Sequence, residues 1–347
     1  MELPVVVGVD GSDTASGALD WAAGMAALRG IPLRIVHASL WERYEGCLPA
    51  SAADRPAERL RGETVLATAA ERAGRRTPEL EVMTDLVTDD PVSALLRAGQ
   101  SAEAVVVGWR GRGEFASLLL GSVGLGIAAR AHCPVVVVRG RAESAPGGTH
   151  RVVVGIAERE RPGGPGPVPS PFLSPAVAFA LREARLRGCD LEAVHAWRCA
   201  GPADHGPRAM YDTAYGGAQG AVHGLVHGGA LGATYGAMRG GERADRGARR
   251  ERNAARDDHD GRADHAQHAA GLLAEALGGA TGQPLVPVTH RAVEATARKA
   301  LLDASARADL LVVGARRRQG HFGMQLGPVN HAVLHHAHCP VAVVPRS

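Results

Sequence analysis

Four short segments of this chain occur twice, in the same order. VVVGVD (5–10) returns as VVVGIA (152–157), and LRIVHASLW (33–41) returns as LEAVHAWRC (191–199). AVVVGWRGRG (104–113) matches LLVVGARRRQ (310–319), and AHCPVVVV (131–138) matches AHCPVAVV (337–344). Ordered repetition of this kind implies two copies of one structural unit. The copies meet near the Pro- and Gly-bearing ESAPGGTHR (143–151), so domains over 1–142 and 150–347 are expected. A chain of 347 residues has the length for about two domains of ordinary size.

Inside the first copy, Val- and Ile-rich runs alternate with Ala/Leu/Arg patterns of helical period. Strands are expected near 3–9, 31–38, 79–87, 103–108 and 134–139, and helices near 13–29, 56–75, 90–101 and 122–131. The strands read as unbroken apolar runs, as they do when helices cover both faces of a sheet. The expected fold class is α/β: two tandem, doubly wound, five-stranded parallel-sheet domains. In such sheets ligands bind outside the carboxyl ends of the strands, at a topological switch point. Residues just after Val9, Val36 and Val107 are therefore the places to look.

The second copy carries two inserts. One is Pro/Gly-rich, near 158–171, and a longer one spans about 199–260. The longer insert is Gly-rich at first and then runs into RADRGARRERNAARDDHDGRADH (243–265), where arginines and acids nearly balance. That balance points to a solvated, flexible segment more than to a nucleic-acid tail. His205, His223, His227 and His259 lie in it, with His265 and His268 just beyond. The His223/His227 and His265/His268 spacings would place pairs on one helix face, yet the region lacks the periodicity of a rigid metal site.

Composition removes several function classes. The formal net charge of +3 makes no electrostatic case for nucleic acid. Five scattered cysteines, never arranged as CxxC, argue against a disulfide framework or a zinc site and fit a reducing cytoplasm. The chain opens on the strand-like LPVVVGV, so no signal segment is expected, and no apolar run reaches a spanning length. Lys299 is the only lysine, which nearly excludes lysine chemistry. GxxxxGK[ST], GxGxxG after a strand, and GxSxG are all missing.

The chemistry that remains is at VVVGWRGRGEFASLLLGSVG (105–124). Gly108 ends the fourth strand, Gly111 follows, and Gly121-Ser122 opens a helix. A helix start offers unpaired N–H groups and a positive dipole end, and Ser122 adds a hydroxyl. This spacing fits either a polyphosphate cradle or a Gly-rich turn in which Ser122 merely caps the helix. Asp10 is positioned either to bind a ribose hydroxyl or adenine edge, or to cap the helix after it. Asp89 and Asp90 are expected as helix caps, and His37 and His195 as histidines bonded to backbone.

The pattern Gly108-x2-Gly111-x9-Gly121-Ser122, with VVVGVDGS before it and AHCPVVVV after it, resembles the universal stress protein family, in particular its tandem, ATP-binding members. The resemblance covers nearly all of 1–140 and most of 150–347 apart from the inserts. It implies five-stranded parallel α/β units that dimerise through their last strands. It also implies ATP, with Mg2+, as the ligand of a stress-response regulator. Adenosine would lie at Gly8, Asp10 and Ala38, and the phosphates at Gly108, Gly111, Gly121, Ser122 and Val123. Arg110 and Arg112 stand within reach of phosphate by position. The second copy keeps Gly155, Ala196, Gly314 and Gly327, but Asp10 aligns with Ala157, Gly111 with Arg317 and Ser122 with Pro328. Nucleotide is therefore expected in the first copy only. The last strands, 134–139 and 340–345, are expected to pair within the chain, and a homodimer remains compatible. Two alternatives stay open: an adenine-nucleotide enzyme (an ATPase or adenylyl transferase), and a scaffold without nucleotide that recruits an unknown protein partner.

Overall fold

A computed structural model describes residues 2–39, 54–110, 121–139, 148–157, 173–198, 262–278, 286–315 and 326–345. The chain forms two compact units, Met1–Trp197 with His268–Ser347, and Arg198–Gln267. Of the second unit, Arg198 and the helical residues 262–267 are described. The histidines of the long insert other than His265 and His268 lie outside the described residues.

The first unit is one ten-stranded sheet. Its first half contains β1 (Val5–Gly8), α1 (Asp13–Arg29), β2 (Leu33–Ala38), α2 (Asp54–Arg76), β3 (Val82–Val87), α3 (Pro91–Ala98), β4 (Ala104–Gly108), α4 (Ser122–Arg130) and β5 (Val135–Val138). The second half contains β6 (Arg151–Ile156), α5 (Pro175–Arg187), β7 (Asp190–Trp197), α6 (268–277), β8 (Val288–Glu294), α7 (Ala297–Ser305), β9 (Leu310–Ala315), α8 (Pro328–His336) and β10 (Val341–Pro345). The strand order is β3-β2-β1-β4-β5-β10-β9-β6-β7-β8. All neighbours are parallel except β5 and β10, which run antiparallel with Val137 opposite Val341 and Val135 opposite Val343. Each half is thus a five-stranded parallel sheet, as the alternation of patterns predicts.

The apolar runs work because both faces are covered. Val5 and Val7 face a core built with α1, α2, α5 and α6, while Val6 faces a second core built with α3, α4, α7 and α8. Successive strand residues point to opposite faces, so a fully apolar run fills both cores at once. The edge strands differ. β3 and β8 hold only exposed and half-buried residues, and each has a neighbour on one side only.

The repeat extends to the helix ends. Ser12 caps α1, its Oγ accepting from the Ala15 amide at 3.2 Å, and Ser174 caps α5 by accepting from Val177 at 3.3 Å. Both helices close on a left-handed glycine, Gly30 with φ 66° and Gly188 with φ 61°. The next amides, Ile31 and Cys189, turn back to Ala26 and Ala184. Only a residue without Cβ takes this conformation cheaply, so these helices end at the two glycines. Asp90 caps α3 as expected, accepting from Ser93 at 3.0 Å. Asp89 does not; it accepts from the Asp90 amide and pairs with Arg97 instead.

Where the halves meet, α1 packs on α5 through a pseudo-symmetric exchange. Arg187 of α5 lies over Trp21 of α1 at 4.1 Å, and Arg29 of α1 lies over Phe179 of α5 at 5.5 Å. These residues hold equivalent places before Gly188 and Gly30. Glu183, 2% exposed, joins the two guanidiniums, pairing with Arg29 and accepting from Arg187 Nε at 2.9 Å.

Candidate functional site

The switch point of the first half falls between β1 and β4, whose outward connections diverge there. Asp10 stands two residues past β1, half-buried. Its Oδ1 accepts from the Ser12 amide at 2.9 Å and the Ser12 hydroxyl at 2.6 Å. Ser12 is the residue that caps α1, so Asp10 orients the cap without being one. Among the described residues Oδ2 makes no hydrogen bond, which leaves one carboxylate oxygen for a hydroxyl donor.

A chain of hydroxyls then ties this turn to β4. Ser12 Oγ lies 3.1 Å from Thr14 Oγ1, and Thr14 Oγ1 donates to the Arg110 carbonyl at 2.5 Å. The first turn of α1 therefore sits directly on the end of β4, and Gly108 allows it. A Cβ at Gly108 would stand 2.8 Å from the backbone carbon and oxygen of Thr14. At Gly8 an added Cβ would meet the end of the Leu95 side chain at 2.7 Å, which can move aside. Both glycines hold strand ends close to a helix, a packing reason that spacing alone does not reveal.

The loop after β4 leaves and returns at one place. The Gly121 amide donates to the Trp109 carbonyl at 2.9 Å. Gly111 and Arg112 lie outside the described residues. Gly121 is the N-cap of α4 and Ser122 its first residue, with no side-chain cap. Of the two readings of Ser122, that of an N-cap is not met: Ser122 lies within the helix, and its exposed side chain stands beside the N–H groups of the first turn. Val123 and the buried Gly124 complete that turn. Ala38, at the end of β2, borders the same strand ends.

The histidines behave as expected. His37 Nδ1 is 2.8 Å from the Val9 carbonyl, and His195 Nδ1 is 2.9 Å from the Ile156 carbonyl. A carbonyl only accepts, so each ring carries its proton on Nδ1. These bonds hold the end of one strand to its neighbour in both copies.

In the second half the corresponding positions are changed. Ala157 replaces Asp10, and Pro328 opens α8 where Ser122 opens α4. Asn330, which the loop motif itself does not include, matters more. It is buried, and its side-chain amide donates to the Gly314 carbonyl at 2.9 Å. Its counterpart in the first half is Gly124, which has no side chain. Carrying the match of Ser122 with Pro328 two residues further would have found it.

A cleft of about 1130 Å³ lies elsewhere, at the amino ends of β1–β3, bordered by Pro4, Pro32, Glu81 and Met83. The candidate residues lie at the opposite, carboxyl ends of the strands, and residues 40–53 and 111–120 lie outside the described residues. Among the described residues there is no cluster of three metal-ligating side chains, and no helix is long and apolar enough to cross a membrane.

The sequence model of the universal stress protein family matches residues 2–139 and 230–345. A universal stress protein of Mycobacterium tuberculosis is 32% identical over 352 aligned residues, covering 99% of this chain and 97% of the relative. One from Mycolicibacterium smegmatis is 30% identical, with the same coverage of both chains. Among solved structures, a universal stress protein from Archaeoglobus fulgidus matches with a TM-score of 0.58 at 16% identity, over 99% of this chain and 98% of that one. The fold, the twofold repeat and these matches agree, and the chain belongs to the universal stress protein family.

Proposed function

We propose that this protein binds ATP in the first half of its sheet and acts as a nucleotide-dependent regulator of the stress response. The observation that carries this reading is the asymmetry of the two helix starts. In the first half, α4 begins Gly121-Ser122 with no side-chain cap and with Gly124 in its first turn. In the second half, α8 begins with Pro328, and Asn330 bonds to the end of β9. An uncapped helix start with a hydroxyl suits phosphate oxygens. The unsatisfied oxygen of Asp10 suits a ribose hydroxyl, with Gly8 and Ala38 beside it. Gly108, Gly111 and Val123 complete the proposed set.

Mg2+ binds with few protein ligands and keeps phosphate oxygens and water. The proposed domains are 1–142 and 150–347. The β5–β10 pairing is read as the intrachain form of the family's dimer contact, and the location as cytoplasmic.

Titrating the purified protein with ATP, against Asp10→Ala and Ser122→Ala variants, tests the assignment. Removal of the ribose anchor is expected to weaken affinity about tenfold, equivalent to roughly 1.4 kcal/mol. Unchanged affinity in both variants would remove the first-half site.

A further inference from the structure

β3 is an end strand of the sheet, and among the described residues no strand pairs with its outer side. Its pairing with β2 shows which backbone groups that leaves. The Leu33 and Ser39 amides donate to the Glu81 and Val87 carbonyls, so the odd-numbered residues of this stretch turn toward β2. The amides and carbonyls of Val82, Thr84 and Leu86 therefore point away from the sheet. A bare edge of this kind is a template for one more strand, and proteins commonly blunt it with charge. β3 instead presents Met83 and Leu86, each 38% exposed, beside Thr84. Its one charged residue, Asp85, is taken up by Arg34, whose Nε donates to it at 2.8 Å.

The cleft of about 1130 Å³ at the amino ends of β1–β3 has Met83 in its wall, so it adjoins this same strand. Leu3, Ile31, Leu80 and Met83 give it an apolar lining. Its rim is acidic. Glu2, Glu79 and Glu81 are exposed, and their carboxylates have no ion-pair or hydrogen-bond partner among the described residues. The one cation of the lining is Arg34, already held by Asp85. Three uncompensated carboxylates thus gather at one edge of a chain whose formal net charge is +3.

The matching edge of the second half is built otherwise. Val82 pairs with Leu33 as Val288 pairs with Leu191, so Leu80 and Glu81 correspond to Val286 and Pro287. No carboxylate stands at either of those positions. The Arg34–Asp85 pair corresponds to Arg291–Glu192 at 3.0 Å, with the signs exchanged and Arg151 added on Glu192. The fold therefore does not require an acidic rim at its end strands, and the rim at β3 calls for a reason of its own.

We propose that the edge of β3 and its cleft dock an extended segment of a partner protein that carries both apolar and cationic side chains. The segment adds a strand to the sheet, its main chain bonding to Val82, Thr84 and Leu86. Apolar side chains enter the cleft beside Met83, and arginine or lysine meets Glu79 and Glu81. In strand addition the main chain supplies affinity and alternate side chains supply selectivity. The candidate nucleotide residues lie at the opposite ends of the strands, so this docking does not depend on the function proposed above.

The test is fluorescence anisotropy of the full chain with labelled peptides of about eight residues, long enough to follow a six-residue strand. One peptide alternates valine with arginine, and a second alternates valine with glutamate. A third repeats the first with every backbone nitrogen methylated, which removes its main-chain donors. Wild type is expected to bind the arginine peptide at least about tenfold more tightly than either control. Glu79→Gln/Glu81→Gln, which removes two exposed charges, is expected to weaken that binding about fivefold. A circular dichroism melt shows that this variant is folded. Failure to bind the arginine peptide, or unchanged affinity in the double variant, would overturn the proposal. Equal affinity for the methylated peptide would leave charge attraction without strand addition and overturn it as well. Sedimentation of the chain alone gives the last comparison: self-association abolished by Glu79→Lys/Glu81→Lys would make a second copy the occupant and refute the assignment to a partner. Asp10→Ala is expected to bind the arginine peptide as wild type does, so the nucleotide site and this edge are judged separately.

Discussion

Glu183 carries the sharpest stability prediction, because one carboxylate holds two buried cations from opposite halves. Its side chain and those of Arg29 and Arg187 are 2%, 5% and 6% exposed. Breaking a buried pair by removing one partner typically costs about 3–5 kcal/mol, since the remaining charge is stranded. Two features set the value toward the lower end. Arg29 keeps a second partner in Glu103 at 2.5 Å, and both guanidiniums keep their aromatic faces. Glu183→Ala is therefore expected to destabilise the first unit by about 3 kcal/mol. For a unit of this size each kcal/mol moves the melting temperature by roughly 2–4 °C, giving a drop of about 6–12 °C. Circular dichroism melts and urea titrations measure it, with Asp303→Ala as the reference. Asp303 pairs with Lys299 in solvent, and its loss is expected to leave the melting temperature almost unchanged. A Glu183→Ala shift as small as that of the reference would refute the idea that this junction rests on a buried ionic cluster.

Gly108→Ala places a Cβ against the Thr14 backbone and is expected to cost about 1–3 kcal/mol, more than Gly8→Ala, whose contact is the movable tip of Leu95; chemical denaturation of both variants ranks them. Burial pushes the Cys133 thiol up to about 11 and Cys339 up to about 12, so both should react with a maleimide at pH 8 far more slowly than free cysteine until the chain is unfolded. Stability should also fall in mild acid. Folding lowers the pKa of His335 and His336 below the usual 6.5, so the unfolded chain binds more protons between those values. Their contribution is complete above about pH 6.5 and is lost as pH falls toward the folded pKa, and melts across that range would show it. A flat profile that is unaltered in His335→Gln/His336→Gln would contradict this.

Most of the fold was legible because burial on both faces makes parallel strands unmistakable: Val5, Val6 and Val7 fill two cores, and no polar residue interrupts them. Gly30 and Gly188 end α1 and α5 for an equally local reason, although neither was singled out in the sequence. The edge strands carry a weaker signal, since VMTDLV and VTHRAVE hold polar residues and lack the unbroken apolar run of the central strands. The candidate site was legible where it depends on residue type at a strand end, as with Asp10 and Gly121-Ser122. It was not legible where a long-range contact decides. Gly108 accommodates Thr14 across the fold, Asp89 pairs with Arg97 instead of capping, and Asn330 bonds to the end of β9. Spacing along the chain carries no record of such meetings. The bond from Arg139 to the Leu334 carbonyl was hidden for the same reason, because β5 and β10 bring together residues nearly two hundred positions apart.

The central claim is that one half of a repeated sheet binds nucleotide and the other does not. Denaturing a measured amount of freshly purified protein, after saturation with ATP and removal of the excess, and quantifying the released nucleotide tests it directly. One nucleotide per chain, reduced in Asp10→Ala, is the expected result. Two per chain would contradict the assignment of Pro328 and Asn330 as residues that close the second site, and none would contradict the first site itself.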